Sequence, residues 1–246
     1  MNIIYAIALA ALAGALPAAA QSPEVGPGST EIRTDSLRDH VDTLEVMLAR
    51  GEEAVSMGTL VLRTTRTDTA TLLRVERMTV HGGTVMGVDS FTVDRRTLAP
   101  IAVRTVERDR TRELRFEEGW VRGSGGAGPV DTRLPAPAFY GNSTDLVLAA
   151  LPLSAGYEAR VRFFDHGEEG AATARLRATG SEDVVTRDGG RCAAWRVEVE
   201  GGSHTGTYWI ATGNRSLVRY DGGSGLRILR RSGCGGAAPG ARVARR

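Results

Sequence analysis

"YEARVRF", residues 157–163, alternates without a break: Tyr157, Ala159, Val161 and Phe163 fall on one side, Glu158, Arg160 and Arg162 on the other. A period of two is the pleat of a β-strand with one dry and one wet face, the usual antiparallel situation. The rhythm recurs along the chain. "AAWRVEVEG" (193–201) sets Trp195, Val197 and Val199 against Arg196, Glu198 and Glu200. "RELRFEEGW" (112–120) sets Leu114, Phe116 and Trp120 against Glu113, Arg115 and Glu117. "TLEVML" (43–48) groups Leu44, Val46 and Leu48, and "GTLVLRT" (58–64) groups Leu60 with Leu62. Turn signals separate these runs: Arg50-Gly51, His81-Gly82-Gly83, Asp188-Gly189-Gly190, Gly201-Gly202, Gly213-Asn214 and Asp221-Gly222-Gly223.

A meander of about a dozen strands must curl to shelter its apolar face and its edges. The fold class expected is therefore mostly β, a strongly curved antiparallel sheet or incomplete barrel. Two stretches share one plan: "DSFTVDRRTLAPIAVRT" (89–105), with Phe91 and Val93 before a polar turn, and "HTGTYWIATGNRSLVRYDGGSG" (204–225), with Tyr208 and Ile210 before Gly213-Asn214. Each reads as a hairpin that adds two strands to the growing sheet.

One segment breaks the period. In "GNSTDLVLAALPLSAG" (141–156), Ser143 and Thr144 are candidate N-caps, an apolar run follows, and Pro152 ends it. The pattern predicts a single short helix over about 143–151, apolar nearly all round and packed on the concave face. It either completes the core or forms the lid or wall of a cavity.

The basic residues are all arginine, the formal net charge is only +2, and the arginines are interleaved with Glu and Asp. A nucleic-acid surface needs a stripe of one sign, so no nucleic-acid partner is expected. "MNIIYAIALAALAGALPAAAQSP" has the apolar stretch and Ala-rich end of a secretory signal peptide, although its first residues carry no Lys or Arg. Cleavage is expected near Ala20, which leaves no transmembrane segment and places the protein in the periplasm or cell envelope. Residues 21–38 read as a flexible lead-in, 39–232 as a single β domain and 233–246 as a disordered basic tail. In an oxidising compartment the two cysteines, Cys192 and Cys234, are expected to form one structural disulfide.

Catalytic motifs are sparse. His40, His81, His166 and His204 have no metal-ligand spacing, so no metal and no cofactor are expected. "FFDHGEEG" (163–170) gathers Asp165, His166, Glu168 and Glu169, which a hydrolase or a calcium loop could use, and which a charged turn explains equally well. No G-x-S-x-G elbow is present, and "GSGGAG" (123–128) lacks the Lys-Ser/Thr of a phosphate loop and reads as a flexible loop.

"STDLVLAALPLSAGYEARVRFFDHG" (143–167), "GSEDVVTRDGGRCAAWRVEVEG" (180–201) and "TGTYWIATGNRSLVRY" (205–220) together resemble a family of exported bacterial β-proteins classed as a domain of unknown function. That family is similar in architecture to the periplasmic lipoprotein-carrier (LolA/LolB-like) proteins, whose incomplete barrel holds acyl chains over a helical plug. The resemblance implies a fold and a compartment and brings no catalytic residues. The leading expectation is a protein that binds or carries a lipid or acylated ligand, lined by Leu60, Leu62, Leu114, Phe116, Val161, Phe163, Trp195, Val197 and Trp209. The alternative is an envelope protein with a solid core that acts on protein partners through its surface; a hydrolase stands third.

Overall fold

The computed structural model describes residues 22–50, 53–108, 110–125, 128–165 and 170–234. A short β1 (Glu24–Val25) precedes the first meander, which runs through β2 (His40–Arg50), β3 (Glu53–Arg66), β4 (Thr71–Val80), β5 (Val85–Asp94), β6 (Pro100–Glu107), β7 (Arg110–Glu117), β8 (Trp120–Gly125) and β9 (Gly128–Arg133). A connection carrying β10 (Phe139–Tyr140), a 3-10 turn (Gly141–Ser143) and α1 (Thr144–Ala150) leads to the second. That is β11 (Glu158–Asp165), β12 (Gly170–Val185), β13 (Arg191–Glu200), β14 (Gly206–Ala211), β15 (Leu217–Gly222) and β16 (Leu226–Arg230).

The described residues form one 16-stranded sheet, curved and unclosed. Each meander is antiparallel throughout, and β16 pairs with β2 to join the two, with Ile228 opposite Val46. At the open seam, β1 and β10 each add a short parallel rung to β11. Side chains bridge the seam: Phe116 of β7 meets Phe164 of β11 edge-on at 5.5 Å, and Phe91 of β5 meets Tyr140 of β10 at 5.2 Å.

The segment read as a flexible lead-in is instead docked across the same seam. Arg160 N donates to Pro23 O at 2.9 Å, Gly28 N donates to Thr97 O at 3.0 Å, and Val25 and Leu37 are buried. An unpaired edge on β11 and apolar side chains at 25 and 37 give this Pro- and Gly-rich stretch something to bind. The leader (1–20) and nearly all of the tail (233–246) lie outside the described residues.

The helix lies inside the curve, with Leu146, Val147 and Leu148 at 0–2% exposure among Leu44, Leu114, Val161, Leu176 and Val197. It ends at Leu151, which the following proline holds extended. Neither expected cap acts as one: Ser143 Oγ donates to Tyr140 O and Thr144 Oγ1 to Gly141 O, and the preceding 3-10 turn feeds straight into the helix.

Three alternations depart from expectation. A bulge between Val46 and Met47 buries both, so β2 changes phase there. Trp120 lies across a turn from Phe116, on β8 opposite Glu117, and therefore shares Glu117's face. "GSGGAG" forms the end of the β8–β9 hairpin, with 126–127 outside the described residues, because Gly125 and Gly128 pair directly.

Candidate functional site on the concave face

Inward-facing side chains divide the concave surface into two zones. Below, around α1, lie most of the residues proposed from sequence to line a cavity. Leu114, Val161, Phe163 and Val197 are at most 4% exposed, and Trp195 packs on the same core. That zone is filled. Phe116 faces a groove of about 360 Å³ at the seam, beside Pro27, Pro100 and Leu134. Trp209 does not belong with the others. With Tyr208 and Ile210 turned inward, the pleat turns Trp209 outward, opposite Arg196. There it joins Val184, Cys192 and Val218, donates to Glu182 at 2.5 Å and lies under the Arg219 guanidinium, 4.6 Å from the ring centroid. The expected disulfide is present on this outer face, linking Cys192 of β13 to Cys234 just past β16.

Above α1 the concave face is open. A cavity of about 600 Å³ is lined by Met78, Met86, Gly87, Glu107, Arg108 and Arg110. Glu76 precedes Met78 on the same face of β4, and it lines a second cavity of about 120 Å³. Leu60, Leu62, Leu217 and Ile228 form the apolar wall of that smaller cavity, and Asn142, Thr144, Asp145, His204, Tyr208 and Tyr220 complete it. The two cavities thus lie along one trough with a mixed lining.

A charged network forms the trough floor. Arg74, only 2% exposed, donates to Asp145 of α1 at 2.5 Å, to Thr64 at 2.7 Å and to Glu76 at 3.4 Å. Directly opposite Glu76 on β5 stands Asp89. Asp89 accepts from Thr105 at 2.7 Å, Asn142 Nδ2 at 2.7 Å and the Tyr140 hydroxyl at 3.1 Å. Burial, and then the charge of Asp89, push the Tyr140 phenol well above its ordinary range. Removal from water is the largest influence on Glu76. Arg74 opposes it, Asp145 and Asp89 reinforce it, and the Glu76 carboxyl is pushed up to about 8. These bonds fasten the β10–α1 connection to β3, β4 and β5.

Sequence reading missed Arg74, Glu76, Asp89, Asp145 and His204. Asp145 was visible only as part of an apolar helix, and His204 only as a histidine without metal-ligand spacing. Asp165, the first member of the acidic turn, is buried at the end of β11, while His166, Glu168 and Glu169 lie outside the described residues. Among the described residues no group of three or more His, Cys, Asp or Glu side chains is placed to hold a metal ion.

The family described as "Protein of unknown function (DUF3108)" matches residues 45–223, which take in most of both meanders, the connection and every residue of the trough except Ile228 of β16. The chain belongs to the DUF3108 family. No curated protein matches it. Among solved structures, this DUF3108 chain is similar to a beta-barrel-like protein of the domain of unknown function DUF1849 from Brucella abortus. The TM-score is 0.50 at 12% identity, covering 81% of this chain and 96% of that one. That likeness supports the fold alone. A protein with a YmcC-like fold from Bacteroides fragilis aligns over 85% of this chain and 97% of its own at 12% identity, but its TM-score of 0.33 carries no argument. No helix among the described residues is long and apolar enough to cross a membrane.

Proposed function

We propose that this DUF3108 protein is exported to the cell envelope and binds a lipid or other amphipathic ligand in the trough above α1. The observation that carries the reading is the cavity of about 600 Å³, with Met78 and Met86 beside Glu107, Arg108 and Arg110. That volume lies in the range of small-molecule sites, and methionine supplies an adaptable apolar wall next to groups able to meet a polar head. The ligand space differs from the one first expected, because α1 occupies the lower zone. Export is supported by the leader-like first twenty residues and by the disulfide, a bond that persists in oxidising compartments.

Native mass spectrometry of protein purified from its host is expected to show a mature chain beginning near Gln21 with bound lipid. Displacement of a hydrophobic dye by added lipid should be weakened by Met78→Trp and Met86→Trp, which fill the trough. A mass that is always ligand-free, together with no dye binding, rejects the reading. The packing of α1 against Leu114, Val161 and Val197 favours a second reading, an envelope protein acting on other proteins through its surface. Affinity capture from envelope extracts separates the two, since the first should retain lipid and the second a protein.

A further inference from the structure

Resting on the trough-binding reading, we infer that Glu76 selects ligands that carry an acyl carbonyl oxygen, an ester or amide, by donating a hydrogen bond to it. Glu76 and Asp145 both converge on Arg74, but Asp145 holds the closer position, at 2.5 Å against 3.4 Å. Asp89 stands directly opposite Glu76 on the neighbouring strand, where a like charge is unfavourable. One guanidinium therefore serves Asp145 first, and Glu76 escapes repulsion by keeping its proton. Its Oε1 faces Arg74 Nε, and its second oxygen has no partner among the described residues while the side chain lines the cavity. A carboxyl in that state is a donor aimed at a ligand, whereas an ionised one could only accept.

Burial, reinforced by Asp145 and Asp89 and opposed by Arg74, keeps this state at neutral pH. Arg74 lies beside it on β4, with Asp42 of β2 acting on Arg74; Asp89 faces it from β5, Asp145 from α1 and Tyr140 from β10. His204, Tyr208 and Tyr220 line the opposite wall. Burial pushes both tyrosines above their ordinary value, so they stay neutral there. The Tyr208 and Tyr220 hydroxyls already donate to backbone carbonyls, of His204 and Thr205. They compete little for the ligand's acceptor.

The test compares two uncharged probes of equal chain length on the full protein: a monoacyl glycerol and its alkyl ether counterpart, which lacks the carbonyl. Well below pH 8 the ester should bind about tenfold tighter, the size of one good hydrogen bond. That advantage should vanish well above pH 8 as Glu76 ionises. Glu76→Gln, whose amide still donates, should keep the advantage and make it independent of pH. Glu76→Leu should abolish it, so that the ester binds no tighter than the ether. Equal binding of ester and ether by the parent protein, or an ester preference that survives Glu76→Leu, overturns the role of Glu76 and leaves the trough reading intact. Binding of neither probe overturns both.

Discussion

Arg74 of β4 and Asp145 of α1 are joined at 2.5 Å with the guanidinium almost wholly removed from solvent. The pair fixes the position of α1 against β4. Removing one partner of a buried pair strands the other charge, at a cost of about 3–5 kcal/mol. Asp145→Ala should lower the unfolding free energy by up to that amount in urea titration, because Glu76, 3.4 Å from the guanidinium, can ionise and replace part of the lost charge. The double variant Arg74→Met with Asp145→Leu should lose much less, because it strands no charge. Equal losses would show that the helix, not the pair, carries the energy.

Glu76 should make stability fall with rising pH. Its folded-state carboxyl sits at about 8, above the ordinary value of 4.5. Below 4.5 both folded and unfolded chains hold the proton, and nothing is lost. Between 4.5 and about 8 the unfolded chain releases it and the folded chain does not, so the unfolded state is favoured progressively until the folded carboxyl ionises. Glu76→Gln should therefore be more stable than the parent at pH 8, with the gap closing as the pH falls toward 4.5. A constant gap across that range would remove Glu76 as its source.

The curved sheet and the buried helix were legible because "YEARVRF" and the apolar run before Pro152 each permit only one period. The trough was not, and β4 shows why. In "TLLRVERMTV", Leu72 and Met78 share a face with Arg74 and Glu76, while Leu73 and Val75 occupy the other. Both faces mix charge with apolar bulk, so alternation cannot say which is inside. Only the folded chain, by bringing Asp145 and Asp89 to that face, explains a buried arginine. Trp209 failed for a different reason. It was expected among the lining residues, yet its neighbours Tyr208 and Ile210 hold the inward register.

The disulfide staples the end of the chain to β13. Its cysteines are 42 residues apart, with Cα atoms 5.3 Å from each other. A loop of that length is worth about 4 kcal/mol through the entropy it removes from the unfolded chain. Cys192→Ser should lower the unfolding free energy by roughly that amount, and Cys192→Ser with Cys234→Ser should cost no more than either alone. Because Cys192 is 1% exposed, dithiothreitol should reduce the native protein only slowly. Rapid reduction without loss of structure would mean that the outer apolar cluster does not depend on the bond.

Gly58 tests whether trough geometry rests on close strand packing. It lies in β3 opposite Val80 at φ +153°, and a Cβ there would run into the Thr79 carbonyl. Gly58→Ala must push β3 away from β4 or strain its own backbone, at a cost of about 1–3 kcal/mol. Gly82, in the turn that follows β4, also has a positive φ of +89°, but a Cβ there meets nothing within 4 Å. Gly82→Ala should thus show the backbone penalty without the collision. Leu60 lies two residues past Gly58 on the same strand and belongs to the trough wall. If the wall depends on that close approach, Gly58→Ala should lose lipid binding along with stability, and Gly82→Ala should keep its binding. Equal binding by the two variants would show that the trough tolerates a displaced β3.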